Sequence, residues 1–295
     1  MNFINPKTDY AFKKIFASEQ SKDILISFLN ALVYGGEPTI DDLEIINPHL
    51  AGKVEGLKDT YLDVQARLND GSLIIIEMQV LNVESFTTRV LYNAAKTYSL
   101  QLKSGQGYTD LKPVIALTIT DFKMFPEFEE IISCFRFQDV KTNLDYPSNH
   151  MELIFVELPK FSQGQEELTT ITDKWIYFLK SANALNSVPR NLGEVPEINK
   201  AFQIANRTNL NREELEELEK RELFIHDQQG AIRLAKREGI EEGKEMGIEE
   251  GKEMGIEEGI KRKALEIARQ LLDVFDDHQI AQTTGLTIAE VRELR

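Results

Sequence analysis

Two carboxylates and an amide, Asp63, Glu77 and Gln79, lie in the stretch Tyr61–Val80, YLDVQARLNDGSLIIIEMQV. The stretch reads as two alternating strands joined by a tight turn. Leu62, Val64, Ala66 and Leu68 are apolar, as are Ile74, Ile76, Met78 and Val80. Odd positions carry Asp63, Gln65 and Arg67, then Glu77 and Gln79. Successive side chains on a strand point to opposite faces, so each strand has an apolar face and a face with functional groups. A two-residue Asp70-Gly71 loop would pair Val64 with Glu77 and set the apolar faces on opposite sides, which burial forbids. A three-residue loop, Asn69-Asp70-Gly71 with Gly71 left-handed, puts Asp63 directly opposite Glu77, their Cβ atoms roughly 4.5–5.5 Å apart. Carboxylates that close repel unless a cation lies between them, and hard oxygen ligands suit magnesium or manganese. The alternative is a solvent-exposed hairpin with ordinary surface acids.

Other elements must hold this hairpin. After Asn5-Pro6-Lys7, Thr8 or Asp9 can cap a first helix, whose opening amides lack partners. Phe12, Ile15, Phe16 and then Ile24, Leu25, Phe28, Leu29 and Leu32 follow at helical spacing and form core. Asp9 and Lys13 lie one turn apart on the other side, where a surface ion pair is the plain reading. Leu43–Asn47 reads as a strand closed by Pro48, followed by a Gly- and Lys-rich loop to about Lys58. Glu84–Lys103 reads as a helix with an apolar stripe of Leu91, Ala94, Ala95, Tyr98 and Leu102. Its second stripe, Arg89, Tyr92 or Asn93, Lys96 and Lys103, is either a solvated face or a set of cations brought beside the carboxylates. Val114–Thr120 is a near-continuous apolar strand, hence central, and Met151–Leu158 is another. Leu168–Ser181 reads as a helix around Trp175, Phe178 and Leu179. The order predicts an α/β sandwich on a mixed sheet, ending near residue 185.

Beyond Pro189 and Pro196 the chain reads as almost all helix, with Asn211 and Glu214 as an N-terminal cap. GIEEGKEM occurs at 239–246 and again at 247–254, and glycine recurs every four residues from Gly239 to Gly259. Each glycine costs a helix roughly 1 kcal/mol against alanine. Residues 186–262 are therefore expected to be a helical linker or stalk, frayed or partner-dependent over 239–259. Either the glycine stripe brings two copies together or the segment is a solvated spacer. Residues 263–295 have the spacing of a small helix–turn–helix with Gly285 at the turn. Glu290, Arg292, Glu293 and Arg295 sum to zero charge, which favours protein contact, a homo-oligomer through the C-terminal helices, over base reading.

Composition sets the outer limits. The 295 residues, 42% hydrophobic and 28% charged, suffice for one or two soluble domains. A single cysteine, Cys134, excludes an internal disulfide and fits a reducing, cytoplasmic setting. The start MNFINPKTDY shows no secretory pattern, and no apolar run approaches the ~18 residues of a membrane helix. The net charge of −15 opposes broad attraction to nucleic acid, so any DNA function must rest on local cations. The four histidines are scattered, with no zinc or nuclease spacing.

TDYAFKKIF, DVQAR, IIIEMQV, RVLYNAAKTYSLQL, GQGY and VIALTITDF, in that order, resemble the recombination-promoting nuclease / transposase family of the PD-(D/E)XK nuclease superfamily. The likeness runs from residue 1 to about 185. It implies a restriction-endonuclease-like mixed sheet flanked by helices, followed by an α-helical C-terminal extension. The activity implied is a Mg2+-dependent (Mn2+ plausible) DNA endonuclease linked to mobile elements, recombination or defence. By motif, Asp63, Glu77 and Gln79 are catalytic, with Gln79 where the superfamily has lysine. Glutamine can orient water and brings no charge; Lys13, Lys14 or Lys96 is expected to supply it. The resemblance further implies a metal held by Asp63, Glu77 and the Met78 carbonyl, with Asp9 as an outer contact. Lys13, Arg89, Tyr92 and Lys96 are the expected phosphate contacts. The alternative is a nuclease fold that has lost catalysis and acts as a binding or regulatory module through its helical tail.

Overall fold

The hairpin turn forms as its sequence requires. Leu68 N–H donates to Ser72 O (2.8 Å), Gly71 N–H returns to Leu68 O (2.9 Å), and Gly71 has φ +88°. Asn69-Asp70-Gly71 is thus a three-residue loop, and Asp70 Oδ1 accepts the Ser72 amide at 2.8 Å. The computed structural model describes residues 3–46, 49–50 and 60–295. The expected strand end at Asn47-Pro48 and the loop to Lys58 lie outside them.

Six strands form one mixed sheet in the order β1-β4-β5-β6-β8-β7. These are β1 (Leu43–Ile46), β4 (Val64–Leu68), β5 (Leu73–Gln79), β6 (Val114–Thr120), β7 (Ile132–Phe135) and β8 (Met151–Glu157); β2 (His49–Leu50) and β3 (Thr60–Tyr61) pair separately. The parallel trio β5-β6-β8 lies inside antiparallel neighbours. All of β6 is buried, which is why its sequence has no alternation.

One sheet face meets α1 (Asp9–Phe16), α2 (Lys22–Val33) and α4 (Ile171–Ser181) in the main core, with Val64, Ala66, Ile74, Ile76, Leu117 and Val156. Phe12, Phe16, Phe28, Trp175 and Phe178 stack there, with centroids 4.4–6.2 Å apart. The other face meets α3 (Phe86–Ser99) through Leu62, Ile75, Ala94 and Ala116. The compact unit does not stop near residue 185: α5 (Arg190–Gly193) and α6 (Pro196–Ile204) bury Leu192, Ile198, Ala201 and Phe202 in the same core. By packing, the first unit is Met1–Gln228.

The long helix α7 (Arg212–Leu271) starts on the expected cap, Asn211 and Glu214 exchanging amide bonds of 2.9 Å each. It continues unbroken over the glycine repeat, where none of the six glycines from Gly239 to Gly259 has a neighbour within 4 Å of an added Cβ. In the second unit, Gln229–Arg295, the end of α7 packs with α8 (Asp277–Thr284) and α9 (Ile288–Glu293) around Ala268, Ile280 and Val291. Gly285, at φ +76°, makes the turn between α8 and α9.

Because Gly71 sits in the left-handed region, Gly71→Ala should destabilise the chain by about 1–2 kcal/mol. Urea unfolding of the two proteins measures this; equal midpoints would contradict the turn.

Candidate functional site

The site lies at the carboxyl ends of the parallel strands, where open α/β sheets place their ligands. Its geometry begins with an irregularity. The ladder pairs Val64 with Ile76, yet Asp63 N–H also reaches Ile76 O, at 3.1 Å. Two successive residues address one partner, which makes a β-bulge at the entrance to β4. Alternation slips there by one. Leu62 takes the α3 face, and Asp63 turns to the α1 face.

This corrects the expected opposition of Asp63 and Glu77. The turn and register are as expected up to Val64, and the bulge then parts the two acids. Asp63 Oδ2 accepts the Met78 amide at 2.6 Å. Its Oδ1 is 3.7 Å from Lys13 Nζ, which also bonds Asp9 Oδ1 at 2.5 Å. Asp9 sits in the first turn of α1, which Thr8 caps through a bond from Ala11 N–H (3.3 Å). Burial pushes the Asp63 carboxyl well above the usual carboxylate range, and the Asp9 side chain bonded to it adds to the effect. Asp9 moves the other way: bonds to Asp63 and Lys13 outweigh its burial and hold it below its ordinary value. Burial and the neighbouring Asp9 thus favour the protonated form of Asp63 relative to a free aspartate.

Glu77 and Gln79 face α3 instead. Arg89 joins them, its Nη2 donating to Glu77 Oε1 (2.5 Å) and Gln79 Oε1 (2.7 Å). Gln79 Nε2 donates to Leu81 O at 2.6 Å, so both ends of this amide are engaged. The guanidinium lies 5.2 Å from the Phe86 ring centroid. The cation that meets Gln79 is therefore Arg89. Lys13 lies with Asp9 and Asp63, and Lys14 pairs with Glu214. Lys96 is buried with its Nζ 6.0 Å from the centroid of Tyr92, whose ring is partly exposed.

The expected residues therefore form two groups, Asp9–Lys13–Asp63 and Glu77–Gln79–Arg89, which meet at the last three residues of β5. Met78 bonds the first group, and its neighbours on either side belong to the second. A strand residue points its N–H and C=O the same way, so the Met78 carbonyl addresses the edge where Asp63 sits. Among the described residues, no three His, Cys, Asp or Glu side chains converge as a ready metal cage. Asn93, named in the expected polar stripe of α3 as the alternative to Tyr92, had no site role assigned; its Nδ2 is 3.5 Å from Glu77 Oε2. Its spacing from Arg89, one helical turn, was the available signal. Asp121 was missed as well: it pairs with Lys7 (2.8 Å), and its amide bonds Gln79 O (2.9 Å).

The raised Asp63 carboxyl has a measurable consequence. A carboxyl whose folded pKa exceeds its unfolded value contributes stability at low pH and loses it as pH rises through the folded value. Asp63→Asn removes that loss. Metal-free Asp63→Asn should therefore melt above the wild type at pH 7–8 and approach it near pH 4, as read by thermal unfolding across pH. A variant that melts lower at pH 8 would contradict the raised Asp63 carboxyl.

The family model described as PD-(D/E)XK nuclease family transposase matches residues 6–235, nearly the whole first unit and the start of the second. No curated protein and no solved structure matches the chain. The chain belongs to the PD-(D/E)XK nuclease family transposases.

Proposed function

We propose that this nuclease-family chain is a divalent-metal-dependent DNA endonuclease whose catalytic residues are Asp63, Glu77 and Gln79. The observation that carries the reading is that the Asp63 group and the Glu77 group meet at the last three residues of β5 in a chain of a nuclease family. Asp63 and Asp9, with Lys13 between them, offer hard oxygen donors of the kind that suit Mg2+ or Mn2+. Asp63, Glu77 and the Met78 carbonyl would hold the ion, with Asp9 as its outer contact. When bound, such an ion polarises the scissile phosphate and lowers the pKa of water.

The chain's own residues do the rest. Glu77 must exchange Arg89 for its ligand role, and Arg89 is then free to turn its guanidinium to a phosphate, which it fits bidentately. Gln79 keeps Arg89 near by accepting one of its N–H groups, so glutamine and arginine together replace the usual lysine. Lys13, Tyr92 and Lys96 lie on α1 and α3, either side of this strand end, as further contacts for the DNA backbone. On a chain of net charge −15, Lys13, Arg89 and Lys96 are the local cations that DNA would need.

A second reading draws on the Arg89 clamp. With Glu77 already neutralised, the fold serves as a binding or regulatory module without catalysis. Plasmid cleavage separates the two. Wild type with Mg2+ should nick DNA, EDTA should stop it, and Glu77→Ala should lower the rate by more than about 100-fold. Losing a mere partner of a metal ligand already costs about 10–100-fold. Equal cleavage by Glu77→Ala would sink this site; no cleavage by either protein, with Mg2+ or Mn2+, would favour the module.

The C-terminal helices are the proposed contact between copies. Ile240, Ile248 and Ile256 of α7 are all exposed beside a glycine series that weakens a lone helix. Full-length Ile248→Asp/Ile256→Asp should sediment at a lower mass than wild type. A wild type that is already monomeric at micromolar concentration would reject this contact.

A further inference from the structure

Glu77 is held from two sides that differ in kind. Oε1 takes Arg89, whose side chain is 38% exposed and so exchangeable. Oε2 faces Asn93, which is 2% exposed on the inner side of α3. The amide has one workable orientation, NH2 toward the carboxylate, because the reverse would set two acceptors face to face. Even so, Nδ2 stands 3.5 Å from Oε2, the outer limit of a hydrogen bond, so this contact alone holds the carboxylate weakly. Asn93 Oδ1 is buried and has no partner among the described residues. Beside it lies a void of about 10 Å³, lined by Glu77, Asn93 and Thr118 with apolar walls that include Leu62, Ile75 and Val90. That is about the space one water needs, and three polar groups are enough to hold it.

We propose that the void holds one water, bonded by Asn93 Oδ1, a Glu77 oxygen and Thr118 Oγ1. Through it Asn93 acts as a positioning residue: it keeps the Glu77 carboxylate fixed while Arg89 releases the other oxygen. The positioning role rests on the reading of Glu77 as a metal ligand; the water site does not. Asn93 is suited to this because its amide both donates toward the carboxylate and accepts from the water. The site suits a small neutral hydrogen-bonding molecule.

The experiment is a crystal structure of the full metal-free chain with ordered solvent, beside calorimetric Mn2+ binding by wild type, Asn93→Leu and Thr118→Val. Wild type should show a water within hydrogen-bond distance of Asn93 Oδ1 that is absent from Asn93→Leu. Mn2+ affinity should fall about 10-fold or more in Asn93→Leu, the loss expected for a partner of a ligand, and by less in Thr118→Val. An empty void in wild type overturns the water site. Unchanged Mn2+ affinity in both folded variants overturns the positioning. Should Asn93→Leu not fold, Thr118→Val, which keeps the side-chain shape, decides alone. If wild type binds no Mn2+, the metal reading fails separately: the water is still judged by density, and an unmoved Glu77 rotamer in the variant overturns the positioning.

Discussion

The hydrogen bond from Met78 N–H to the Asp63 carboxylate stands where a ladder bond would otherwise be. It exists because the bulge at Asp63 and Val64 lets a side-chain oxygen do the work of a backbone carbonyl. A buried amide needs an acceptor, so this carboxylate is fixed by the sheet itself. Asp9, Lys13 and the cap of α1 gather around a group that cannot move away. The opposite face of the same strand end carries Glu77 and Gln79. β5 therefore touches both groups of acids, and the geometry of its last three residues sets the spacing of the rest of the site.

Charge is distributed unevenly across this strand end. On the α1 side two carboxylates have one lysine between them, and burial raises the Asp63 carboxyl. On the α3 side one carboxylate has one guanidinium, and the balance is complete. Neither arrangement is the cheapest way to hold a sheet edge: apolar residues of similar volume are often more stabilising than buried ionic ones. Glu157, by contrast, shows what a purely structural acid looks like at the same end of the sheet. It is fully buried, accepts the Met124 and Phe125 amides, and pairs with Lys160.

Much of this was legible in the chain. Gly71 and the period-two pattern gave the loop length and the register, because only one choice buries both apolar sets together. Trp175 and the aromatic residues of α1 and α2 pointed to the main core. The bulge was not legible, and the reason is physical. Both faces of this sheet are covered, so Leu62 is equally content on either, and the pattern carries no penalty for the slip. Arg89 was read as a phosphate contact because sequence spacing shows which face of α3 it occupies and not which partner it will meet. The short strand β7, half exposed at the sheet edge, has no alternation strong enough to announce it. Residues 190–204 read as a linker because their helices are short, yet long-range packing of Ile198 and Phe202 draws them into the core.

The segment before α1 is tied to the far end of the first unit. Ile4 N–H bonds Ala205 O at 2.8 Å, Phe3 bridges to Asn206, and Lys14 of α1 pairs with Glu214 in the first turn of α7. These partners are about 200 residues apart in the chain. On the ribosome, at roughly 5–20 residues per second, α1 must wait about 10–40 s before the segment that anchors it has been made. Asp9 travels with α1, so the acidic corner is among the last parts of the unit to be completed. A nascent or truncated product lacking the region around residue 205–214 carries the hairpin and its acids without their full setting. Such a chain holds an incomplete acidic corner for as long as synthesis lasts, a delay imposed by topology alone.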